Sequence, residues 1–138
     1  MRRTLGGLGV VAVVCGLLAW GCGPKPLKPE APTPAVSDQL SGQVVDGARE
    51  VKVEAKQWAF SPNRIVVKKG EKVRLVVTSM DVKHGLGIEA FNINQELPPH
   101  QPQTIEFTPD KAGEFEFHCT VFCGAGHGEM KGTLVVQE

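Results

Sequence analysis

The chain has 138 residues, room for one domain with a core and none for an enzyme carrying a second, substrate-binding domain. Its 15 Lys+Arg balance its 15 Asp+Glu, so it lacks the basic footprint of a nucleic-acid binder or of a polybasic membrane surface. Apolar residues make up 41%, which excludes wholesale disorder, while 16 Gly, 10 Pro and no Tyr fit a turn-rich β domain better than a helical bundle.

Residues 1–21 read as a signal peptide or membrane anchor. Met1-Arg2-Arg3 is a short basic start, and the stretch from Leu5 to Trp20 is apolar, glycine-rich and uncharged. It is short for a membrane span of roughly 20 residues, and its glycines weaken it as a helix. Ala19-Trp20-Gly21-Cys22 resembles a bacterial lipobox, in which the cysteine becomes the lipidated first residue of the mature protein. The alternative is an uncleaved single-span anchor. Both readings place an exported, membrane-tethered domain on the periplasmic or outer face of a bacterial cytoplasmic membrane.

Residues 22–47 change composition sharply. Pro24, Pro26, Pro29, Pro32 and Pro34 fall close together among Lys25, Lys28 and Glu30, and proline at that density blocks helix and sheet. The segment reads as an extended, flexible tether.

Residues 48–138 read as the folded domain, and strand signals dominate it. Glu50 to Ala55 alternates polar and apolar, and Ile65-Val66-Val67 precedes a turn at Lys68-Lys69-Gly70. Val73 to Thr78 puts Val73, Leu75 and Val77 on one face. Thr104 to Thr108 alternates, and Pro109 to Gly113 turns into Glu114 to Cys119, with Phe115, Phe117 and Cys119 on one face. Gly132 to Gln137 is a final strand, and Ile88 to Gln95 has room for a short helical turn. Short strands at regular spacing indicate an all-β sandwich or Greek-key barrel.

The chemistry concentrates in one loop. Cys119, Cys123, His127 and Met130 set two thiols, an imidazole and a thioether within twelve residues, a set that selects copper over hard cations. Gly124, Gly126 and Gly128 let the loop wrap tightly. A disulfide is favoured by an oxidising compartment, but it gives His127 and Met130 no role. Zinc prefers closer cysteine pairs and no methionine. A mononuclear blue-copper site needs one Cys and two His, and this loop has one Cys too many. Two thiolates able to bridge point to two copper ions. A second imidazole must come from elsewhere, and His84, just beyond the Val73 strand, is the candidate; His118 alternates to the face opposite Cys119, and His100 lies in a proline-rich loop.

With these pieces in view, the chain resembles the copper A domain of cytochrome c oxidase subunit II, a cupredoxin-like Greek-key β-barrel. The resemblance rests on Gln57-Trp58-Ala59-Phe60-Ser61-Pro62-Asn63, Thr78-Ser79, Asp81-Val82, His84-Gly85, Asn92-Ile93-Asn94, Gly113-Glu114-Phe115 and the Cys119-to-Met130 loop, and covers Glu50 to Glu138. It implies Cys119 and Cys123 as bridging thiolates and His84 and His127 as one nitrogen ligand each. Met130 and the backbone carbonyl of Val121 would be weak axial ligands. Relatives commonly carry Glu at the Val121 position, where it also helps to bind magnesium, so no magnesium site is expected here. Met80, where relatives often have Pro, reads as a neighbouring packing residue.

The implied function is one-electron transfer, from a cytochrome c-type donor to a haem in a partner subunit such as subunit I of a haem-copper oxidase. No residue set here resembles a complete catalytic centre. Trp58, in a region where relatives carry an aromatic cluster, is the expected point of electron entry. The unusual N-terminus leaves a free-standing, membrane-tethered electron carrier as an alternative. A periplasmic copper-handling protein is a further one, disfavoured by only three methionines.

Overall fold

The computed structural model describes residues 39–138. Ten strands form there: β1 (Gln43–Val45), β2 (Ala48–Lys56), β3 (Ala59–Ser61), β4 (Arg64–Lys68), β5 (Val73–Ser79), β6 (His84–Ile88), β7 (Ile93–Leu97), β8 (Gln103–Phe107), β9 (Gly113–His118) and β10 (Lys131–Gln137). The only helical elements among the described residues are single 3₁₀ turns at Glu89–Phe91 and His127–Glu129.

The strands make two sheets. One runs β1-β2-β5-β8, with β3 folded back onto the end of β2, and the other runs β4-β10-β9-β6-β7. The β2–β5 and β4–β10 pairs are parallel; the other ladders are antiparallel. Parallel neighbours that are distant in sequence close the Greek-key arrangement expected of the chain.

The period-2 alternation decides which face is buried. Val51, Val53 and Ala55 of β2 and Val73, Leu75 and Val77 of β5 all point inward. They share one core with Ile65, Val67, Leu86, Phe117, Leu134 and Val136 of the other sheet, where Phe60 meets Phe117 edge-on at 5.3 Å. On the solvent side Arg74 bridges Glu106 and Glu50, at 2.8 and 3.6 Å.

Four strands escaped the sequence patterns. β1 lies inside the segment read as tether: Asp46 and Gly47, with φ of 49° and 76°, turn it back onto β2. The Ser41 hydroxyl accepts from the Val66 amide, and its carbonyl accepts from Arg49. The fold therefore begins before the expected boundary at Ala48. β3 has only three residues, β7 starts inside the stretch read as room for a helical turn, and β6, His-Gly-Leu-Gly-Ile, is interrupted by glycines that disguise a wholly buried strand. Those glycines have a cause: a Cβ on Gly85 or Gly87 would sit 2.2 or 2.6 Å from the Thr120 side chain. The chain leaving β9 thus lies directly on β6.

Met80 is 45% exposed, so the packing role expected for it is not what the fold gives it. The signal or anchor segment, Cys22 and most of the tether lie outside the described residues. No helix among the described residues is long and apolar enough to cross a membrane.

Candidate metal centre

β9 and β10 are antiparallel neighbours, so the residues joining them form a loop closed at its neck. The Cys119 amide donates to the Met130 carbonyl at 3.0 Å, which sets the first and last donor-bearing residues side by side. Within the loop, His127 N–H donates to the Gly124 carbonyl and Met130 N–H to the His127 carbonyl. These bonds turn the His127 and Met130 side chains back towards the cysteines.

His84 arrives from the other side. β5 ends at Ser79, whose buried hydroxyl donates to the Val82 carbonyl and ties a short turn. The next strand starts at His84, whose imidazole is fully buried. Burial was not legible in the sequence, where His84 reads as a residue just past a strand end.

The donor atoms converge. Cys119 Sγ lies 3.9 Å from Cys123 Sγ, and both cysteines are free. His84 Nδ1 stands 3.7 Å from Cys119 Sγ, and His127 Nδ1 stands 3.8 Å from Cys123 Sγ. Met130 Sδ is 3.9 Å from Cys123 Sγ, while the Val121 carbonyl is 3.2 Å from Cys119 Sγ. All six residues singled out from the sequence as ligands meet at this one place. His100 is exposed and hydrogen-bonds through its backbone to Ser79, and His118 lies on the outer side of β9 next to Gly87; neither joins the cluster.

These separations fit metal ions. Sulfur and nitrogen at about 2.3 and 2.0 Å from one ion lie roughly 3.5 Å apart at a tetrahedral angle, and two such sulfurs roughly 3.8 Å apart. An S–S bond needs about 2.05 Å, so the thiols are poised for shared metal rather than joined. Two soft sulfurs, two imidazoles and a thioether are a donor set for copper.

Residues outside the ligand set hold it. Asp81 Oδ1 lies 2.8 Å from His84 Nε2; with that nitrogen as donor, Nδ1 faces the sulfur with its lone pair free. Burial acts to raise the Asp81 carboxyl, but hydrogen bonds from the Gln57 amide, His84 and the Val82 amide outweigh it and hold the group below its ordinary range. Burial, with Cys119 beside it, pushes the Cys123 thiol up to about 11. That thiol is protonated at neutral pH in the metal-free protein, and a bound cation displaces the proton. Asp81 was legible only as part of a family pattern; nothing in its spacing announces a partner for His84.

Exposed apolar side chains cover the site, with the Lys83 cation beside them. Phe122 is 79% exposed, with its ring 5.7 Å from that of His127, and a shallow groove runs along Val82, Lys83, Phe122 and Cys123. Trp58, 43% exposed, lies on the loop backbone: a Cβ on Gly126 would come within 2.5 Å of its ring.

Two facing sheets with soft ligands gathered in the loop between neighbouring strands define a cupredoxin-type metal domain. The chain matches the cupredoxin-like domain family over residues 14–136. It is 36% identical over 104 residues to cytochrome c oxidase subunit 2 of Thermus thermophilus, an alignment spanning 74% of this chain and 77% of the relative. It is 33% identical over 109 residues to nitrous-oxide reductase of Cupriavidus necator, spanning 75% of this chain but 17% of that protein. A solved haem-copper terminal oxidase dimer contains a similar chain, with a TM-score of 0.61 and 28% identity over 74% of each chain. The chain therefore belongs to the cupredoxin-like family and, within it, to that of cytochrome c oxidase subunit 2.

Proposed function

We propose that this domain passes single electrons through a pair of copper ions, as the electron-entry subunit of a haem-copper oxidase. The observation that carries the reading is the symmetry of the donors. Two thiols 3.9 Å apart are each flanked by one imidazole nitrogen, at 3.7 and 3.8 Å. Cys119 and Cys123 would be the thiolates shared by the pair, His84 and His127 would each supply one imidazole nitrogen, and Met130 and the Val121 carbonyl would complete the set as weak ligands.

A copper pair held there would supply reversible one-electron redox chemistry. The chain's own residues keep the ligands in place. β6 and the neck between Cys119 and Met130 anchor the two sides of the site to the barrel, and Asp81 fixes the His84 ring. A ligand shell that does not move between redox states keeps the reorganisation on electron transfer small. Burial of Cys119, Cys123, Met130 and His84 excludes water, while exposed Trp58 and Phe122 lie between the site and solvent. We assign that apolar rim to docking of a cytochrome c-type donor, with Trp58 as the entry point and a haem in subunit I as acceptor. Val121 offers no carboxylate for magnesium.

The test is metal loading of the purified domain. Two coppers per chain and a resonance spectrum with one electron shared between two copper nuclei are expected. A single blue-copper signal, or zinc held more tightly than copper, overturns the reading. Cys123→Ser abolishes the shared-electron spectrum, because one thiolate cannot supply both bridges. The residues before the described fold are assigned to export and tethering through Cys22; an unchanged, full-length, membrane-bound product from Cys22→Ser would instead favour the uncleaved anchor.

A further inference from the structure

The loop that carries both thiols is held mostly by its own turns. Among the described residues, the stretch 121–129 receives hydrogen bonds from its own backbone; the Cys119 thiol at its neck donates to the Val121 carbonyl at 3.2 Å, and from a distant part of the chain Gln57 Nε2 donates to the Cys123 carbonyl at 2.5 Å. The same residue's backbone N–H donates to Asp81 Oδ2 at 2.8 Å, and Asp81 Oδ1 holds the His84 imidazole. Gln57 thus touches both halves of the site, the cysteine loop through its side chain and the histidine turn through its amide.

The loop is shaped to receive it. Gly124 has φ of 127°, and a Cβ there would fall 3.1 Å from Gln57 Nε2 and 3.1 Å from Trp58 Nε1. A side chain at residue 124 would therefore crowd both Gln57 and Trp58. The backbone approach at Cys123–Gly124 exists so that the Gln57-Trp58 corner, between β2 and β3, can sit on it.

We propose that Gln57 is a positioning residue: its amide clamps the Cys123 carbonyl and, through Asp81, sets the spacing between the cysteine loop and His84. The inference rests on the copper reading only for its effect on bound metal; the clamp itself acts on the thiol loop with or without copper. Gln57's hydrogen bonds go to the Cys123 carbonyl and the Asp81 carboxylate, so it serves through those two residues.

Gln57→Met keeps the bulk and removes the donor, whereas Gln57→Lys keeps a donor at similar reach. One net hydrogen bond corresponds to about a fivefold change in the opening equilibrium of the loop. Alkylation of Cys123 by iodoacetamide in the metal-free protein should therefore be about fivefold faster in Gln57→Met and near the wild-type rate in Gln57→Lys. Release of copper from the loaded Gln57→Met protein to a chelator should rise by a similar factor, with two coppers still bound at the start. Equal alkylation rates in wild type and Gln57→Met overturn the clamp, because packing alone survives that substitution. If wild type takes up no copper pair but the alkylation difference is present, the clamp stands and the electron-transfer reading falls. If wild type shows the shared-electron spectrum but alkylation and copper release are unmoved, the clamp falls and the reading stands.

Discussion

His84 Nε2 lies 2.8 Å from Asp81 Oδ1, an imidazole with no exposed surface held by a carboxylate that is partly open to solvent. The pair decides which ring nitrogen is available. With Nε2 committed to Asp81, Nδ1 faces Cys119 Sγ and needs no proton of its own.

Asp81→Ala leaves Nε2 buried without an acceptor, a loss of about 1–3 kcal/mol. It also frees the ring to turn, so metal affinity should fall about 10–100-fold. Asp81→Asn, which keeps an oxygen acceptor, should recover most of it. Chelator competition on the three proteins measures the difference, and equal affinities would show that the carboxylate does not orient the ligand.

Trp58 reaches solvent and rests on the ligand loop at once. Trp58→Ala should slow reduction by a cytochrome c-type donor severely while copper content and spectrum stay as in wild type. Trp58→Phe keeps the packing and an aromatic surface, and should lie between the two. Stopped-flow reduction checks this: an unaltered rate in Trp58→Ala rules out Trp58 as the entry point, and loss of copper assigns Trp58 to packing.

Gly126 is the other half of that contact. A Cβ there would stand 2.5 Å from Trp58 Cδ2 and 2.6 Å from its Cγ, so the ring must move. Gly126→Ala should destabilise the domain by about 1–3 kcal/mol, the usual result of overpacking. Combining it with Trp58→Ala removes the clash, so the two changes should be strongly non-additive in a denaturation cycle. Simple additivity would mean the ring does not rest where it is described.

Acid stability has a separate origin, far from the loop. Arg49 Nε donates to Glu71 Oε2 at 2.8 Å, and both side chains are largely covered. The hydrogen bond from Arg49 is the main cause that holds the Glu71 carboxyl below its ordinary range, against burial, which raises it. A depressed carboxyl stabilises the fold above the unfolded-state pKa, and the contribution is lost as pH falls through the folded-state value. Glu71→Gln should therefore be less stable than wild type at neutral pH and converge with it in acid. Denaturant midpoints across that range give the answer; a gap that does not close assigns the effect to packing.

Much of this domain was legible from local pattern. The alternation in Glu50 to Ala55, Val73 to Thr78 and Thr104 to Thr108 marks strands because a half-buried sheet face demands period 2, and each is a strand in the fold. The Cys119-to-Met130 cluster declares soft-metal chemistry because its donors are close in the chain and need no fold to be counted.

What the tertiary structure alone decided is everything that joins distant segments. β6 carries His84 into the core, yet its glycines answer to Thr120, a residue 35 positions beyond Gly85 that no local pattern connects to it. Asp81 and Gln57 matter only because the turn after β5 and the corner after β2 meet above the cysteine loop, 66 residues separating Gln57 from Cys123. Hydrogen bonds of that kind depend on where the β2–β5 and β9–β10 ladders set their strand ends. A residue's type and spacing settle which donors it offers, and strand register settles which acceptor lies within reach.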